Sequence, residues 1–201
     1  NAEFLNVNKI FGDQEAYQLN LLALALSKHP TKNYKLQQAD NVLNESQMQQ
    51  RLDIETLDVM WAATKNSYEE NFLPIRIPLF KGLIGHRLFI IREGTQTKFN
   101  NIYNIDDLLR LKAGQGRGWA DSDILRNADI NVVTTMKYDN LFYMLEGGRF
   151  DYFPRGVHEP WAEIASRPEL LIAVEKNLLL IYPLAAYFFV KKENIQLAKD
   201  I

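Results

Sequence analysis

The sequence predicts a two-lobed α/β protein with mainly parallel sheets. Strand-like and helix-like segments alternate in both halves of the 201-residue chain, as they do in β-α-β architectures. Two long apolar, extended runs, at residues 78–92 and 177–190, separate these halves. The simplest interpretation is that the chain leaves the first lobe once and returns once. Residues 3–92 and 179–201 then form lobe one, and residues 93–178 form lobe two.

Each predicted strand is an apolar or alternating run that ends at turn residues or a proline. Residues 4–10 alternate between apolar and polar, whereas residues 57–63 are mostly apolar and predict a buried strand. Pro74 and Pro78 fix an extended path around Arg76. The other predicted strands cover residues 34–38, 78–92, 112–119 (a strand end with a glycine-rich loop), 130–134, 150–153, 171–174 and 177–190.

The predicted helices rest on apolar faces and on residues that favour helix ends. Asn44 or Ser46 caps the second helix, and Asp106 and Asp107 lie in a first turn, where the helix dipole favours acids. Gly147 closes the helix at residues 138–146. The helix capped by Asn44 or Ser46 covers residues 46–54, and the helix with Asp106 and Asp107 covers residues 105–111. The other predicted helices cover residues 17–27, 67–71 (a short polar helix or loop), 121–127, 158–166 and 193–201.

The composition argues against several classes of function. The formal net charge is -2, so no basic excess indicates nucleic acid or a membrane surface as partner. The chain has no cysteine, which excludes disulfides, thiol catalysis and Cys-ligated metal. His29, His86 and His158 are scattered without metal-ligand spacing, and no nucleotide-binding loop occurs. We therefore expect no metal and no organic cofactor. No apolar run reaches the roughly 18 residues of a membrane span, so we expect no membrane insertion.

The order of these segments resembles the type II periplasmic solute-binding proteins, best known from amino-acid ABC transporters. In that family, residues 57–64 resemble the strand that leads to a ligand-contacting turn, and residues 78–92 resemble the outgoing hinge strand. Residues 104–119, ending in Gly114-Gln115-Gly116-Arg117-Gly118-Trp119, resemble the start of lobe two. Residues 145–151 resemble the family's L-x-x-G-x-V-D element. The resemblance spans nearly the whole chain, although each motif alone is weak.

This resemblance implies a non-catalytic, extracytoplasmic protein that binds a small polar solute in a cleft between the lobes, with the crossings as a hinge. We expect an anionic or zwitterionic solute, a monomer, and a membrane permease or receptor as partner. The family's amino-acid binders carry Thr-x-x-Arg after the third strand. Here Thr64 is followed by Glu69 near the arginine position, which argues against an ordinary α-amino acid. Family chains also continue with further helix, so we expect a C-terminally shortened, divergent member without a signal peptide.

Two alternatives to transport remain open. The same fold serves as the sensor module of membrane receptors, and it can carry a small enzyme, such as a dehydratase or a cofactor-pathway enzyme. The sequence has no Gly-x-Ser-x-Gly element and no complete catalytic set, so the enzyme ranks lowest.

Four candidate ligand residues come from lobe one and the outgoing crossing. Trp61 is either an aromatic wall of the cleft or a core residue, and Thr64 offers a hydroxyl at the end of the same strand. Arg76 lies between apolar neighbours and must find a partner. Arg87 interrupts an apolar strand, so it needs either a partner or an open cleft.

Five further candidates follow two strands of lobe two. Gln115, Arg117 and Trp119 belong to a glycine-rich segment that leads into a helix, where exposed N–H groups favour anions; the alternative is a plain turn. Asp151 could accept from a ligand amine, and Arg155 could bind a carboxylate or phosphate through its fork. The alternative for Arg155 is an internal pair with Asp151 or Glu159 that fixes the turn. We predict Arg155 as the strongest ligand contact.

Overall fold

The computed structural model describes residues 2–201, apart from the side chains of residues 13 and 14. Its strands are β1 (Ala2–Val7), β2 (Asn33–Gln38), β3 (Val59–Ala63), β4 (Phe72–Ile75), β5 (His86–Arg92), β6 (Lys112–Gly116), β7 (Asn131–Thr135), β8 (Tyr152–Gly156), β9 (Ile172–Val174), β10 (Leu180–Ile181) and β11 (Ala186–Lys191). Its helices are α1 (Asp13–Ser27), α2 (Glu45–Asp53), α3 (Asn66–Asn71), α4 (Ile105–Leu108), α5 (Ala120–Asn127), α6 (Tyr138–Glu146), α7 (Pro160–Ala165) and α8 (Ile195–Asp200). The predicted α/β class is confirmed.

The chain divides into two compact units. The first unit runs to Phe80 and resumes with Ala185–Ile201, and the second unit comprises Lys81–Leu184. Each unit contains one sheet with helices from the same unit packed against it.

The sheet of the first unit has the order β2-β1-β3-β11-β4. β1 pairs in parallel with both β2 and β3, and β11 runs antiparallel to β3 and β4. Pro74 lies in the edge strand β4, where the missing N–H of proline is tolerated. Buried side chains from α2, α3, β3 and β11 form the core, among them Leu52, Met60, Tyr68 and Phe189.

The sheet of the second unit has the order β10-β5-β8-β6-β7, with β9 also paired to β5. β6 pairs in parallel with β7 and β8, whereas β5 runs antiparallel to β8, β9 and β10. The core packs α6 on this sheet, with Phe142 and Leu145 of the helix against Ile90 and Phe153 of the strands.

The two apolar runs expected as crossing strands are each interrupted. In residues 78–92, Gly82 adopts a left-handed conformation (φ 84°) and a 3-10 turn at Leu83–Gly85 precedes β5. In residues 177–190, the chain forms the short β10 and then a separate β11. β5 and β10, which the sequence analysis placed in lobe one, are hydrogen-bonded in the second sheet. Apolar character marked these segments as strands but does not encode which sheet they join.

Several element boundaries also differ for local reasons. The first strand ends at Val7 rather than residue 10, because the Asn8 amide turns to bond the backbone N–H and C=O of Leu43. The helix expected at residues 105–111 ends at Leu108. The Asn44 cap is confirmed as one half of a capping box, whose other half is Gln47.

Candidate functional site

The carboxyl ends of four strands meet at one edge of the first sheet. β1, β2 and β3 are parallel, and β4 has the same direction as β3 because both lie antiparallel to β11. Open α/β sheets bind ligands at this kind of edge. Two predicted site residues are here, since Thr64 follows β3 and Arg76 follows β4.

Thr64 and Arg76 are brought together by Glu69, which lies in α3 between the two strands. The Arg76 Nη2 lies 2.6 Å from the Glu69 Oε2, and the Arg76 Nη1 lies 3.4 Å from the Oε1. The Thr64 hydroxyl donates to the Glu69 Oε1 at 2.7 Å. The hydrogen bond from Arg76, followed by that from Thr64, lowers the pKa of Glu69 below its ordinary value. This cluster therefore presents a carboxylate and a guanidinium that are both charged at neutral pH, and the side chain of Arg76 is 62% exposed.

Trp61 is a buried residue of the same unit. Only 4% of it is exposed, and its ring meets Phe188 edge-to-face at 6.3 Å between centroids. It also sits opposite Phe188 in the β3–β11 register. In this unit Trp61 therefore packs in the sheet that supports Thr64.

The second sheet has a corresponding edge, where β6, β7 and β8 end and β5 begins. β6 runs into the turn Gly116–Trp119, in which Gly118 has a φ of 83°. The Trp119 ring lies against Gly116 so closely that a Cβ there would meet it at 2.2 Å. Arg117 lies in the same turn. It is exposed, and among the described residues its guanidinium has no hydrogen-bonding or ion-pair partner. Arg117 is thus an accessible cation at a strand end.

Arg87 is buried at the start of β5, with 2% exposure. Its Nη2 lies 2.5 Å from the Asp121 Oδ1 at the start of α5, and its Nη1 lies 3.6 Å from the Glu159 Oε2. The Tyr182 hydroxyl donates to the same Asp121 oxygen. Burial, followed by the neighbouring Asp121 carboxylate, raises the pKa of Tyr182. Of the two possibilities expected for Arg87, a partner or an open cleft, the structure has the partner, which is a buried pair of carboxylates.

Arg155 joins the same charge network from β8. Its Nε lies 2.9 and 3.0 Å from the two Glu163 oxygens, and its Nη2 lies 2.9 Å from the Glu159 Oε1 and 2.6 Å from the Glu163 Oε1. The Tyr138 hydroxyl also donates to Glu163. Burial opposes the charge of Arg155, but the carboxylates of Glu159 and Glu163 outweigh it, so the pKa of the guanidinium is raised above its ordinary value.

Aromatic rings enclose the Arg155 guanidinium. Its central carbon lies 4.9 Å from the ring centroid of Phe153, 5.3 Å from that of Trp119 and 5.7 Å from that of Tyr138. Glu159 also accepts from the backbone N–H of Gly156 at 2.6 Å, which fixes the turn after β8. The internal pair that the sequence analysis weighed for Arg155 is present, and a ligand that contacted Arg155 would have to replace it.

The two remaining candidates have internal partners as well. Gln115 is fully buried and donates its side-chain N–H to the Pro154 carbonyl at 3.2 Å, across from β6 to β8. Asp151 precedes β8 and lies at the opposite edge of the sheet, where it accepts from the backbone N–H of Lys112 and pairs with Lys98 at 3.2 Å. Asp151 and Arg155 therefore do not share a site.

Comparison with solved structures gives matches along almost the whole chain. An ancestral arginine-binding protein bound to arginine is 15% identical and superposes with a TM-score of 0.68, covering 98% of this chain and 88% of the other. A histidine kinase sensor domain with similarity to periplasmic binding proteins is 14% identical, with a TM-score of 0.71 and coverage of 99% and 87%. A double-mutant VFT2 domain of Bordetella pertussis BvgS is 14% identical, with a TM-score of 0.72 and coverage of 99% and 84%. No protein-family model and no curated protein sequence matches the chain.

The chain has a type II periplasmic-binding-protein-like fold. This confirms the resemblance drawn from the sequence, and at such identities the likeness concerns the fold alone. No helix within residues 2–201 is both long and apolar enough to cross a membrane. In the same residues, no group of three or more His, Asp or Glu side chains is placed to hold a metal ion.

Within this periplasmic-binding-protein-like fold, sequence reasoning missed the acidic partners. Asp121 and Glu163 were not singled out, and Glu69 was noted but not as a partner of Arg76, although each lies in the first or second turn of a helix that follows a strand. The spacing of Glu159 and Glu163 could have revealed Glu163, because residues four apart share a helix face. An arginine at the preceding strand end would then be expected to face both.

Proposed function

We propose that this protein binds a small polar solute that is anionic or zwitterionic, and that it does so without catalysis. The observation that carries the proposal is the exposed Arg76–Glu69 pair with the Thr64 hydroxyl, at the carboxyl edge of the first sheet. A guanidinium can bind a carboxylate through its fork, while a carboxylate can accept from an ammonium group. The two charges together match a zwitterion, and Arg76 alone matches an anion.

Arg76 keeps donors available for a ligand even while it is paired. A guanidinium has five N–H groups, and Glu69 engages only the two terminal nitrogens. The side chain of Arg76 is largely exposed, so solvent screens the pair and it contributes little to folding stability. A ligand can therefore engage Arg76 at little cost to the stability of the fold.

Arg117 is the candidate from the second unit. It is exposed in the turn that precedes α5, and it is a second place where an anionic group can be held. Gln115, Arg87, Trp61 and Arg155 are buried, and we assign them the role of holding the strand ends and turns that carry the exposed groups. Asp151 is assigned to the loop around Lys98, away from that edge.

We place the protein outside the cytoplasm, as a monomer that delivers its solute to a membrane permease. A sensor role is the second candidate, because a histidine kinase sensor domain and the VFT2 domain superpose with TM-scores of 0.71 and 0.72. The two roles share the same solute chemistry. They differ in whether a receptor or a permease responds, which reconstitution of the solute-loaded protein with each would separate.

The experiment starts with a thermal-shift screen over amino acids, organic acids, polyamines and sugars. A ligand at a hundred times its dissociation constant stabilises the folded state by about 2.7 kcal/mol. The ligand found is then titrated by calorimetry into Arg76→Met, Glu69→Gln and Arg117→Met. Loss of a charge-assisted hydrogen bond should weaken affinity roughly tenfold to a hundredfold.

Arg126→Met is the matched control, since Arg126 is an exposed arginine on α5 whose nearest carboxylate is 3.8 Å away. Its affinity should equal that of the unchanged protein. A ligand without any charged group, such as a sugar, or a charged ligand that binds Arg76→Met and Arg117→Met with unchanged affinity, would rule out the proposed chemistry.

A further inference from the structure

A groove on the first unit lies apart from the edge that carries Arg76. It has a volume of about 420 Å³ and is formed by one face of α1 and by the adjoining strand β2. The helix contributes Leu19, Ala23 and Leu26, which are three to four residues apart and so share a face. The strand contributes Tyr34 and Leu36, which alternate along β2. The volume is that of a typical ligand pocket.

The strand beside the groove is an edge strand. β2 stands at the end of the order β2-β1-β3-β11-β4, so within the described residues no strand pairs with its outer side. An edge strand presents a row of unpaired backbone N–H and C=O groups, which is a template for one more strand. The apolar face of α1 would cover the side chains of that added strand.

The pleat of the sheet decides what the added strand must look like. Side chains of neighbouring strands at the same level point to the same face. Every second residue of the added strand would therefore stand beside Tyr34 or Leu36 and fill the groove under Ala23. The residues between would stand on the opposite face, beside Lys35.

The charge of this surface favours an acidic partner. The sequence from residue 16 to residue 39 contains no Asp or Glu, but it contains Lys28, Lys32 and Lys35. Glu3 of β1 stands opposite Tyr34, on the face of the groove and not on the face of Lys35. Lys32 is neutralised by Asp200 at 2.6 Å. Lys35 is exposed, and it forms no ion pair with any residue that the structure describes. An acidic side chain opposite Lys35 would thus gain a cross-strand charge pair.

We propose that this groove binds an extended segment of another protein, in which apolar and acidic residues alternate, by adding it as a sixth strand beside β2. Backbone hydrogen bonds to β2 supply the affinity, and the two side-chain rows supply the specificity. The site is independent of the solute site, because none of its lining residues belongs to the cluster around Arg76.

The test uses a dye-labelled peptide, acetyl-Val-Glu-Val-Glu-Val-Glu-amide, whose six residues match the length of β2. Binding is measured by fluorescence polarisation and mapped by amide chemical-shift changes in the ¹⁵N-labelled protein. A peptide of the same composition in block order, Val-Val-Val-Glu-Glu-Glu, controls for net charge. The expected result is saturable binding of the alternating peptide, with shifts at β2 and α1, and weaker binding of the block peptide.

Three variants test where the peptide binds and whether the charge of Lys35 contributes to binding. Ala23→Glu places a bulky anion in the groove at an exposed helix position and should abolish binding. Leu24→Glu carries the same charge on the same helix, at a residue that is 54% exposed and outside the groove, and should bind normally. Lys35→Glu should weaken the affinity for the Val/Glu peptide roughly threefold to thirtyfold, because the cross-strand pair changes from attractive to repulsive. The same variant should bind a Val/Lys peptide more tightly than the Val/Glu peptide.

Absence of saturable binding would overturn the proposal. So would equal binding of the alternating and block peptides, equal effects of Ala23→Glu and Leu24→Glu, or a Lys35→Glu variant that keeps its preference for the acidic peptide. Shifts confined to the surroundings of Arg76 would also overturn it, because the peptide would then occupy the proposed solute site.

Discussion

Replacing Arg155 by methionine tests whether the charge network of the second unit holds that unit together. The residue is 7% exposed, and its side chain contributes the hydrogen-bonding positive charge for Glu159 and Glu163. Methionine fills much of the same space among the rings of Phe153 and Trp119 but leaves both carboxylates without their shared cation. Removing one partner of a buried ion pair costs about 3–5 kcal/mol.

That loss should be visible in urea unfolding. With a denaturant slope of roughly 2–3 kcal/mol/M, a deficit of this size lowers the midpoint by roughly 1–2.5 M. Tryptophan fluorescence is the suitable signal, because the Trp119 ring lies 5.3 Å from the Arg155 guanidinium. Arg155→Lys keeps a charge but loses the fork, so its unfolding midpoint should fall between those of Arg155→Met and the unchanged protein.

The control is Arg126→Met, an exposed arginine whose pair with Asp123 spans 3.8 Å and contributes about 0–1 kcal/mol. If Arg155→Met lowers the midpoint no more than this control does, the network does not hold the unit. A ligand affinity that falls in Arg155→Lys at unchanged stability would instead support the ligand contact predicted from the sequence.

Three further outcomes can be checked by unfolding measurements. Asn44→Ala removes half of the capping box of α2 and should cost about 1 kcal/mol, measured in urea. Gly114→Ala places a Cβ 2.1 Å from the Phe150 ring and should cost about 1–3 kcal/mol, seen as a lower melting temperature. The hydrogen bond from Lys32 holds the pKa of Asp200 below its ordinary value, so this pair stabilises the fold above about pH 4 and less as the pH falls further. Asp200→Asn should therefore unfold with a shallower dependence on acid pH.

The fold could be predicted largely because its local signals agree with one another. The helix Tyr138–Glu146 has the predicted bounds, since an apolar face ends at Gly147 and Gly148. The strand β3 is apolar on both faces and lies in the middle of its sheet, as its sequence indicated. The assignment of β5 to a sheet could not be predicted, because strand pairing depends on contacts distant in sequence that a local pattern does not encode.

The candidate site was predicted less completely, for an electrostatic reason. Sequence reasoning selects basic residues at strand ends, because such residues can bind an anion. It does not show whether another part of the chain already supplies that anion. Arg76 meets one carboxylate and remains exposed, whereas Arg155 meets two and is buried. The same residue type at equivalent strand ends therefore has different prospects for binding.

Partner count and exposure together give a physical ranking of the predicted residues. A buried arginine that is enclosed by two carboxylates can bind a solute only by breaking bonds that stabilise its own unit, and that cost subtracts from affinity. An exposed arginine loses at most a solvent-screened surface pair when a solute carboxylate takes the place of its partner. On this reasoning Arg76 and Arg117 rank above Arg155 as ligand contacts, although Arg155 has the stronger sequence context. The ranking requires that Arg76→Met lowers ligand affinity with little change in stability, and that Arg155→Met lowers stability. Measuring both quantities in both variants tests it.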